Sequence, residues 1–205
     1  MESWSRTVKE IVIATKNKGK IAEIKLALKE LPVKILGLDE FKNVPDAIED
    51  GHSFEENAII KAKFYANHLK IACLADDSGL EVHSLSNEPG IYSARYAGDK
   101  ATDTDNNNLL LEKLNGYKED DRTACFRCVL AFADTDETVI TTDGICEGII
   151  LTQGRGNGGF GYDPLFWVEE YKKTMAELSA EEKNKISHRG KAVFNMVNKL
   201  EEYLK

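Results

Sequence analysis

Three carboxylates in the sequence could hold a divalent metal ion. Asp76 and Asp77 follow an apolar segment, residues 71–75, and Glu49 lies in the short segment Ile-Glu-Asp-Gly. Adjacent acids at the end of a strand are expected at the carboxyl edge of an α/β sheet, where such sheets bind ligands. Hard oxygen ligands suit Mg²⁺, which commonly takes one or two carboxylates and substrate phosphate. The alternative is structural, because Asp-Ser-Gly is also a common turn sequence.

A lysine-rich turn near the N-terminus could bind phosphate. The segment Thr15-Lys16-Asn17-Lys18-Gly19-Lys20 lies between a predicted strand and a predicted helix. Free N–H groups and the positive end of the helix dipole attract anions, and Lys20 in the first turn would add a charge. The pattern differs from the Walker motif GxxxxGK[ST]. In the structural alternative, Thr15 or Asn17 only caps the helix and Lys20 is solvated.

A third candidate is a loop that combines glycines with aromatic residues. Five glycines lie within the eight positions 154–161, against 15 in the 205 residues of the chain. Such a loop can approach a ligand closely and adopt positive φ. Phe160 and Tyr162 are unusual in a mere linker, and an aromatic face can stack on a nucleotide base. A complex turn that packs on the core is the alternative.

Further cations could complete a phosphate or base site. Lys183 precedes Ser187-His-Arg-Gly190, where His188 and Arg189 lie near a helix start, and Lys61 lies one turn beyond Asn57. Each alone is compatible with an ordinary surface position. Taken together, the lysines and arginine balance the three acids, which favours a metal–polyphosphate complex as ligand.

Composition excludes several classes of function. The net charge of −8 disfavours binding to nucleic acid, whose affinity comes mostly from neutralised phosphates. No apolar run matches a bilayer and the start lacks a signal-peptide core, so we expect a cytoplasmic protein without membrane contact. Cys125 and Cys128 have CxxC spacing, but on a predicted strand they point to opposite faces and would not bind one metal.

The predicted elements alternate as in a mixed α/β protein. We expect strands at residues 10–14, 33–36, 71–75, 122–133 and 137–150, with 134–136 as a hairpin turn. Helices are expected near residues 24–31, after the capping residue Ser53, at 102–114 and from about 189. A mixed α/β fold in two lobes with a cleft is the predicted architecture.

Six motifs occur in an order that marks a known family. They are Ala14-Thr-x-Asn-x-x-Lys20, Ser53-Phe-x-Glu-Asn-Ala58, Ala75-Asp-Asp-Ser-Gly-Leu80, Pro89-Gly-Ile-Tyr-Ser-Ala-Arg-Tyr96, Gly158-Gly-Phe-Gly-Tyr-Asp-Pro164 and Ile186-Ser-His-Arg-Gly190. Through them the chain resembles the inosine triphosphate pyrophosphatase family from about residue 11 to residue 193. Asn157 departs from the family's frequent threonine, and the first ten residues precede its usual start.

The resemblance implies a role for each candidate residue. The triphosphate would be held by Thr15, Lys16, Asn17, Lys18, Gly19 and Lys20, with Lys61 assisting. Glu49 and Asp77 would bind Mg²⁺, and Asp77 would also be the general base, with Asp76 beside it. Ser78 would touch the substrate. The base and sugar would be surrounded by Phe160, Gly161, Tyr162, Asp163, Lys183, His188 and Arg189.

The resemblance also implies an activity, an assembly and a fold. The family cleaves ITP, dITP and XTP between the α- and β-phosphates, gives a nucleoside monophosphate and pyrophosphate, and so keeps these nucleotides out of DNA and RNA. It usually forms homodimers. Its fold is an elongated mixed β-sheet flanked by helices, in two lobes around a central active-site cleft. We therefore expect residues 1–10 to be an extension and 11–205 a single two-lobed domain.

Three other functions are alternatives. A nucleotide-binding sensor without turnover could lose its carboxylates, whereas Glu49, Asp76 and Asp77 are all present. A pyrophosphatase of modified pyrimidine nucleotides is disfavoured by the Phe-Gly-Tyr-Asp and Ser-His-Arg motifs. A nucleic-acid-binding module is disfavoured by the negative charge.

Overall fold

Eight strands within the described part of the chain form one sheet. The structure, a computed structural model, describes residues 8–205 apart from the side chains at positions 18, 19 and 23. The strands are β1 (Lys9–Ile13), β2 (Val33–Gly37), β3 (Ala72–Val82), β4 (Glu88–Pro89), β5 (Thr123–Ala133), β6 (Val139–Ile150), β7 (Phe166–Val168) and β8 (Lys173–Thr174). Their order is β2-β1-β3-β5-β6-β7-β8, and β4 pairs with β3.

The sheet is mixed, as predicted. β1 runs parallel to both β2 and β3, so that Val12 has Leu36 on one side and Cys73 on the other. The pairs β3–β4, β6–β7 and β7–β8 are antiparallel. The predicted extension, residues 1–10, falls mostly outside the described residues, which begin at position 8, and β1 begins at Lys9.

Five helices within residues 8–205 accompany the sheet. They are α1 (Lys18–Ala27), α2 (Phe54–Leu69), α3 (Asp103–Lys113), α4 (Ala180–Ile186) and α5 (His188–Tyr203). The predicted cap at Ser53 is confirmed, because its hydroxyl accepts the Glu56 N–H. Thr102 caps α3 in the same way through the Asp105 N–H. These caps satisfy N–H groups that have no partner inside the helix, and they fix where each helix begins.

The prediction that a strand ends before Asp76 is wrong. β3 continues from Ala72 to Val82, so both aspartates and the following Ser-Gly lie inside a strand. The reason is pairing with distant segments, since β3 lies between β1 and β5 in the sheet and its last residues, Glu81 and Val82, pair with β4. The neighbouring strand β1, in contrast, ends at Ile13, opposite Leu74. Asp76 therefore lies two residues beyond the point on β3 that is opposite the end of β1.

The described residues divide into two compact units. Unit 1 contains the described residues up to Asp77, together with Val129–Thr142 and Val193–Lys205. Its buried side chains include Ile11, Ile13, Ile24, Leu28, Leu74 and Phe132. Unit 2 contains Ser78–Cys128 and Asp143–Ala192. Its core is built from residues such as Leu80, Leu110, Phe126, Ile150 and Phe166.

All four cysteines are buried. Cys125 and Cys128 both lie on β5, the strand on which their spacing was expected to direct them to opposite faces. Among the described residues, no helix has the length and apolar character needed to cross a membrane.

Candidate active site

In unit 1, buried and half-buried acids and lysines meet at β3. Asp76 is only 2% exposed, and its carboxylate pairs with the Lys20 ammonium at 2.6 Å. Lys20 is the third residue of α1. A buried carboxylate is stable only when it is paired or hydrogen-bonded, so this ion pair joins α1 to β3. We call Lys20, Glu49, Lys61, Asp76 and Asp77 the acid–lysine cluster.

Lys61 connects Glu49 to β3. It projects from α2, forms an ion pair of 2.7 Å with Glu49, and donates a hydrogen bond of 3.0 Å to the backbone carbonyl of Asp76. Burial would lower the pKa of Lys61, but the charges of Asp76, Glu49 and Asp77 outweigh burial and raise that pKa above its usual value. Lys61 is therefore a fixed positive charge among three acids.

Asp77 is an acid of the acid–lysine cluster whose pKa lies above its usual value. Burial is the main cause, and together with the charges of Glu49 and Asp76 it raises the pKa of Asp77 to about 6. A hydrogen bond from Asn57 and the charge of Lys61 act in the opposite direction. A carboxylate with a pKa near the working pH is suited to accept a proton during a reaction.

Asn57 positions Asp77, and the sequence analysis did not assign it a role. Its amide nitrogen donates to Asp77 Oδ2 at 3.0 Å, and its amide oxygen accepts the Gly51 N–H at 2.8 Å. The side chain is 2% exposed. A side chain at Gly51 would collide with Asn57 and Glu56, so glycine permits this approach. The signal was present, because Asn57 belongs to the motif Ser53-Phe-x-Glu-Asn-Ala58.

The predicted phosphate-binding turn contributes Lys20 to the acid–lysine cluster, whereas Lys16 lies at the surface. Asn17 Oδ1 accepts the Lys20 N–H at 3.2 Å, as a helix-capping side chain does, and Thr15 Oγ1 accepts the Asn17 N–H. Lys16 is exposed and pairs with Asp46 at 2.5 Å, away from Asp76. Lys18 and Gly19 begin α1, and beyond that placement they lie outside the described residues.

In unit 2, two cations face one aromatic ring. The Lys183 ammonium lies 5.0 Å from the centre of the Phe160 ring, and the Arg189 guanidinium lies 5.7 Å from it. Phe160 is 45% exposed, so part of the ring can meet a ligand. Arg189 is buried and donates to Ser78 Oγ at 3.3 Å. We call Ser78, Phe160, Asp163, Lys183 and Arg189 the aromatic–cation cluster.

Asp163 organises this part of the glycine-rich loop. Its carboxylate accepts the Phe160 N–H at 3.0 Å and pairs with Lys183 at 2.5 Å. Gly159 has φ +74°, and a side chain there would collide with the Asp163 carboxylate. Glycine is thus required both by the positive φ and by the close approach of the acid.

Three of the predicted site residues make structural contacts around the aromatic–cation cluster. Tyr162 is buried and donates to the Ser93 carbonyl at 2.9 Å, and burial raises the pKa of its hydroxyl. His188 is buried and stacks on Phe126, with ring centres 4.9 Å apart. Gly161 is tied to α3, because its N–H donates to Asp103 at 2.7 Å and its carbonyl accepts from Asn107 at 2.9 Å. No sequence motif marked these two α3 residues.

The fold and the two clusters define a class of protein. It is a mixed α/β protein with paired acids and lysines that suit a metal-bound polyphosphate, and with cations beside an exposed aromatic ring that suit a planar base. The chain belongs to the Ham1 family, whose model matches residues 11–199. This finding confirms the resemblance inferred from the six motifs.

Individual relatives support this membership. Over 183 residues, the chain is 53% identical to a dITP/XTP pyrophosphatase of Desulfotalea psychrophila, which covers 89% of this chain and 81% of that protein. The Ham1 protein of Staphylococcus aureus has a TM-score of 0.87 and 44% identity, over 95% of this chain and all of that chain (100%). A HAM1 protein from Coxiella burnetii has a TM-score of 0.89 and 43% identity, with the same coverage of 95% and 100%.

Proposed function

We propose that this protein hydrolyses deaminated purine nucleoside triphosphates, ITP, dITP and XTP, to the nucleoside monophosphate and pyrophosphate. In the cell this reaction would keep these nucleotides out of DNA and RNA. The observation that carries the proposal is the acid–lysine cluster, where Lys20 and Lys61 are paired with Asp76 and Glu49 around the carboxylate of Asp77. The similarity to the Desulfotalea relative, a dITP/XTP pyrophosphatase, supports the choice of substrates.

We assign the metal of this reaction to Glu49 and Asp77. Both offer hard oxygen ligands of the type that Mg²⁺ prefers. The raised pKa of Asp77, to which Glu49 and Asp76 contribute, supports the fit, since a cation would relieve the repulsion among these acids. When bound, Mg²⁺ supplies positive charge that neutralises phosphate oxygens.

The residues of the acid–lysine cluster divide the remaining chemistry. Asp77 accepts the proton of the water that attacks the α-phosphorus, and Asn57 holds its carboxylate through the bond of 3.0 Å. Lys20 contributes charge to the triphosphate at the start of α1, where the N–H groups also favour an anion. Lys61 keeps its charge because the acids around it raise its pKa. Pyrophosphate is the leaving group, and these lysines neutralise the negative charge on it.

The aromatic–cation cluster supplies the preference for the base. ITP and XTP carry a keto oxygen at the purine 6-position, where ATP carries an amino group. Arg189 has only hydrogen-bond donors and cannot lose its charge, so it pairs with a keto oxygen and not with an amino group. Phe160 offers an exposed ring face for stacking. We also propose that the protein acts in the cytoplasm as a homodimer, as the family resemblance implies.

The substrate test is pyrophosphate release from ITP, XTP, dITP, ATP and dTTP, with Mg²⁺ and after chelation. We expect rapid release from the three deaminated purine nucleotides, slow release from ATP and dTTP, and loss of activity after chelation. Asp77→Asn should release pyrophosphate at least about a hundredfold more slowly in the same assay, while Asp136→Asn, a change in the exposed turn after β5, should behave as wild type. Equal rates with ATP and ITP, or tight nucleotide binding without pyrophosphate, would refute the proposal.

A further inference from the structure

A second group of metal-type ligands lies on unit 2 and shares no residue with either cluster. His83, Cys125 and Glu147 each offer one ligand atom, and these atoms all lie within 4.8 Å of one another. Cys125 is on β5, Glu147 is on the adjacent strand β6, and His83 directly follows β3 on the other side of β5. The three residues thus come from three neighbouring strands of one sheet.

A fourth possible ligand atom, a carboxylate oxygen of Glu81, lies close to the Cys125 thiol. The Cys125 thiol donates a hydrogen bond of 3.5 Å to Glu81 Oε2. In a tetrahedral zinc site, bonds of about 2.0–2.3 Å place neighbouring ligand atoms about 3.3–3.8 Å apart. The Cys125–Glu81 distance already has this value, and the ligand atoms of His83, Cys125 and Glu147, which lie within 4.8 Å of one another, need to approach by only about 1 Å.

The charges and contacts around this group suit a cation. Burial raises the pKa of Cys125 to about 12, and the charges of Glu81 and Glu147 add to that effect, while Arg127 opposes it. A divalent ion would relieve this negative environment as it displaces the thiol proton. The His83 ring is also held, because its Nδ1 lies 3.1 Å from Thr123 Oγ1, and such contacts orient a ligating imidazole.

From this arrangement we infer that His83, Cys125 and Glu147, completed by Glu81, form a binding site for a zinc-type divalent ion. Nitrogen, sulfur and oxygen donors in one set favour Zn²⁺ or Co²⁺ over Mg²⁺, which prefers oxygen alone. The CxxC spacing of Cys125 and Cys128 has no part in this site, since only Cys125 contributes. The inference is independent of the proposed function, because it concerns other residues and another class of metal.

The test titrates the full-length, chelator-treated protein with Co²⁺ in the presence of excess Mg²⁺. Cobalt bound to a thiolate gives a charge-transfer absorption band, which Mg²⁺ and carboxylate sites do not give. We expect a band that saturates at one equivalent of Co²⁺ and disappears when Zn²⁺ is added. No band at one equivalent of Co²⁺, or a band abolished by excess Mg²⁺, would overturn the inference.

Variants identify the ligands. Cys125→Ser should abolish the band, and Cys146→Ser, which alters another buried thiol of unit 2, should retain it. His83→Gln and Glu147→Gln change exposed residues and should fold normally. Each should weaken Co²⁺ and Zn²⁺ binding by about tenfold or more, whereas His68→Gln, a change on α2, should leave it unaltered. Unchanged affinity in both His83→Gln and Glu147→Gln would overturn the assignment even if Cys125→Ser failed to fold.

Discussion

The acid–lysine cluster and the aromatic–cation cluster hold their charges in different ways. In the first, both lysines are engaged by acids, through ion pairs of 2.6 Å and 2.7 Å, and the pKa of Asp77 is raised to about 6. In the second, Lys183 is also paired with an acid, Asp163, but both Lys183 and Arg189 face the ring of Phe160, which is 45% exposed. In the acid–lysine cluster, paired charges surround the Asp77 carboxylate. In the aromatic–cation cluster, hydrogen-bond donors lie beside an exposed aromatic ring.

This difference separates two tasks. A carboxylate with a shifted pKa among fixed opposite charges is typical of groups that move a proton. Donors around an aromatic ring are typical of recognition, because they favour one pattern of acceptors without reacting. We therefore expect changes in the acid–lysine cluster to lower the rate with every substrate. Changes in the aromatic–cation cluster should alter the relation between substrates or their affinity.

The largest effect is expected from Asp77→Asn. The amide cannot accept a proton and is a weaker metal ligand, so turnover should fall at least about a hundredfold while the protein still folds and binds nucleotide. The measurement is steady-state pyrophosphate release from ITP, with nucleotide binding measured by calorimetry. Asp136→Asn serves as the matched control in unit 1. Near-normal turnover in Asp77→Asn would remove Asp77 from the mechanism.

Lys20→Ala should act mainly on the triphosphate. Loss of one charge-assisted contact, about 1.5–3 kcal/mol, should weaken ITP binding by about tenfold to a hundredfold and leave inosine monophosphate binding nearly unchanged. The variant also leaves the Asp76 carboxylate without its lysine, so a lower melting temperature is expected. Calorimetry with both nucleotides is the measurement, and Lys34→Ala, an exposed lysine paired with Glu10, is the control. Equal losses for ITP and inosine monophosphate would place Lys20 away from the triphosphate tail.

Arg189→Ala should lower the ratio of ITP to ATP catalytic efficiency by about tenfold, chiefly by impairing ITP. The reason is the loss of a donor that pairs with the 6-keto oxygen and faces the amino group of ATP unfavourably. The measurement is kcat/KM for both nucleotides. Arg155→Ala is a matched control, because Arg155 also stacks on an aromatic ring of unit 2, that of Trp167. If the ratio stayed constant in Arg189→Ala, recognition would belong to other donors.

The smallest effect is expected from Phe160→Ala. Stacking on an aromatic face contributes about 1 kcal/mol at the low end of its range and does not distinguish one purine from another. Affinity for ITP and ATP should therefore fall by about fivefold for each, while Phe160→Tyr, which keeps the ring, should remain close to wild type. KM values for the two nucleotides measure this. A loss confined to ITP would give Phe160 a part in selecting the base.

Regular elements could be predicted from the sequence because their signals are local. Apolar runs and a capping serine located β1, β5 and α2 to within one or two residues. β3 could not be predicted in full, since its continuation through Asp76-Asp77-Ser-Gly depends on its place in the sheet beside β5, a strand that begins only at Thr123. Pairing between distant segments overrides a local turn signal, and composition does not reveal it.

The sequence indicated which residues are candidates for the site, but it did not indicate which partners their side chains contact. The motifs pointed to Lys20, Lys61 and the acids, which the structure brings together, but they could not show that Lys16 pairs with Asp46 on the surface. They also could not show that Tyr162 donates into the core of unit 2. Both outcomes depend on where a long side chain finds a partner, which is settled only by tertiary packing.

The most direct test of the division between the two clusters is the ITP/ATP ratio of kcat/KM in four proteins. These are wild type, Asp77→Asn, Arg189→Ala and the double variant. We predict that Asp77→Asn lowers both efficiencies and leaves the ratio at its wild-type value, that Arg189→Ala lowers the ratio, and that the double variant has the ratio of Arg189→Ala. A ratio that changes as much in Asp77→Asn as in Arg189→Ala would contradict the account.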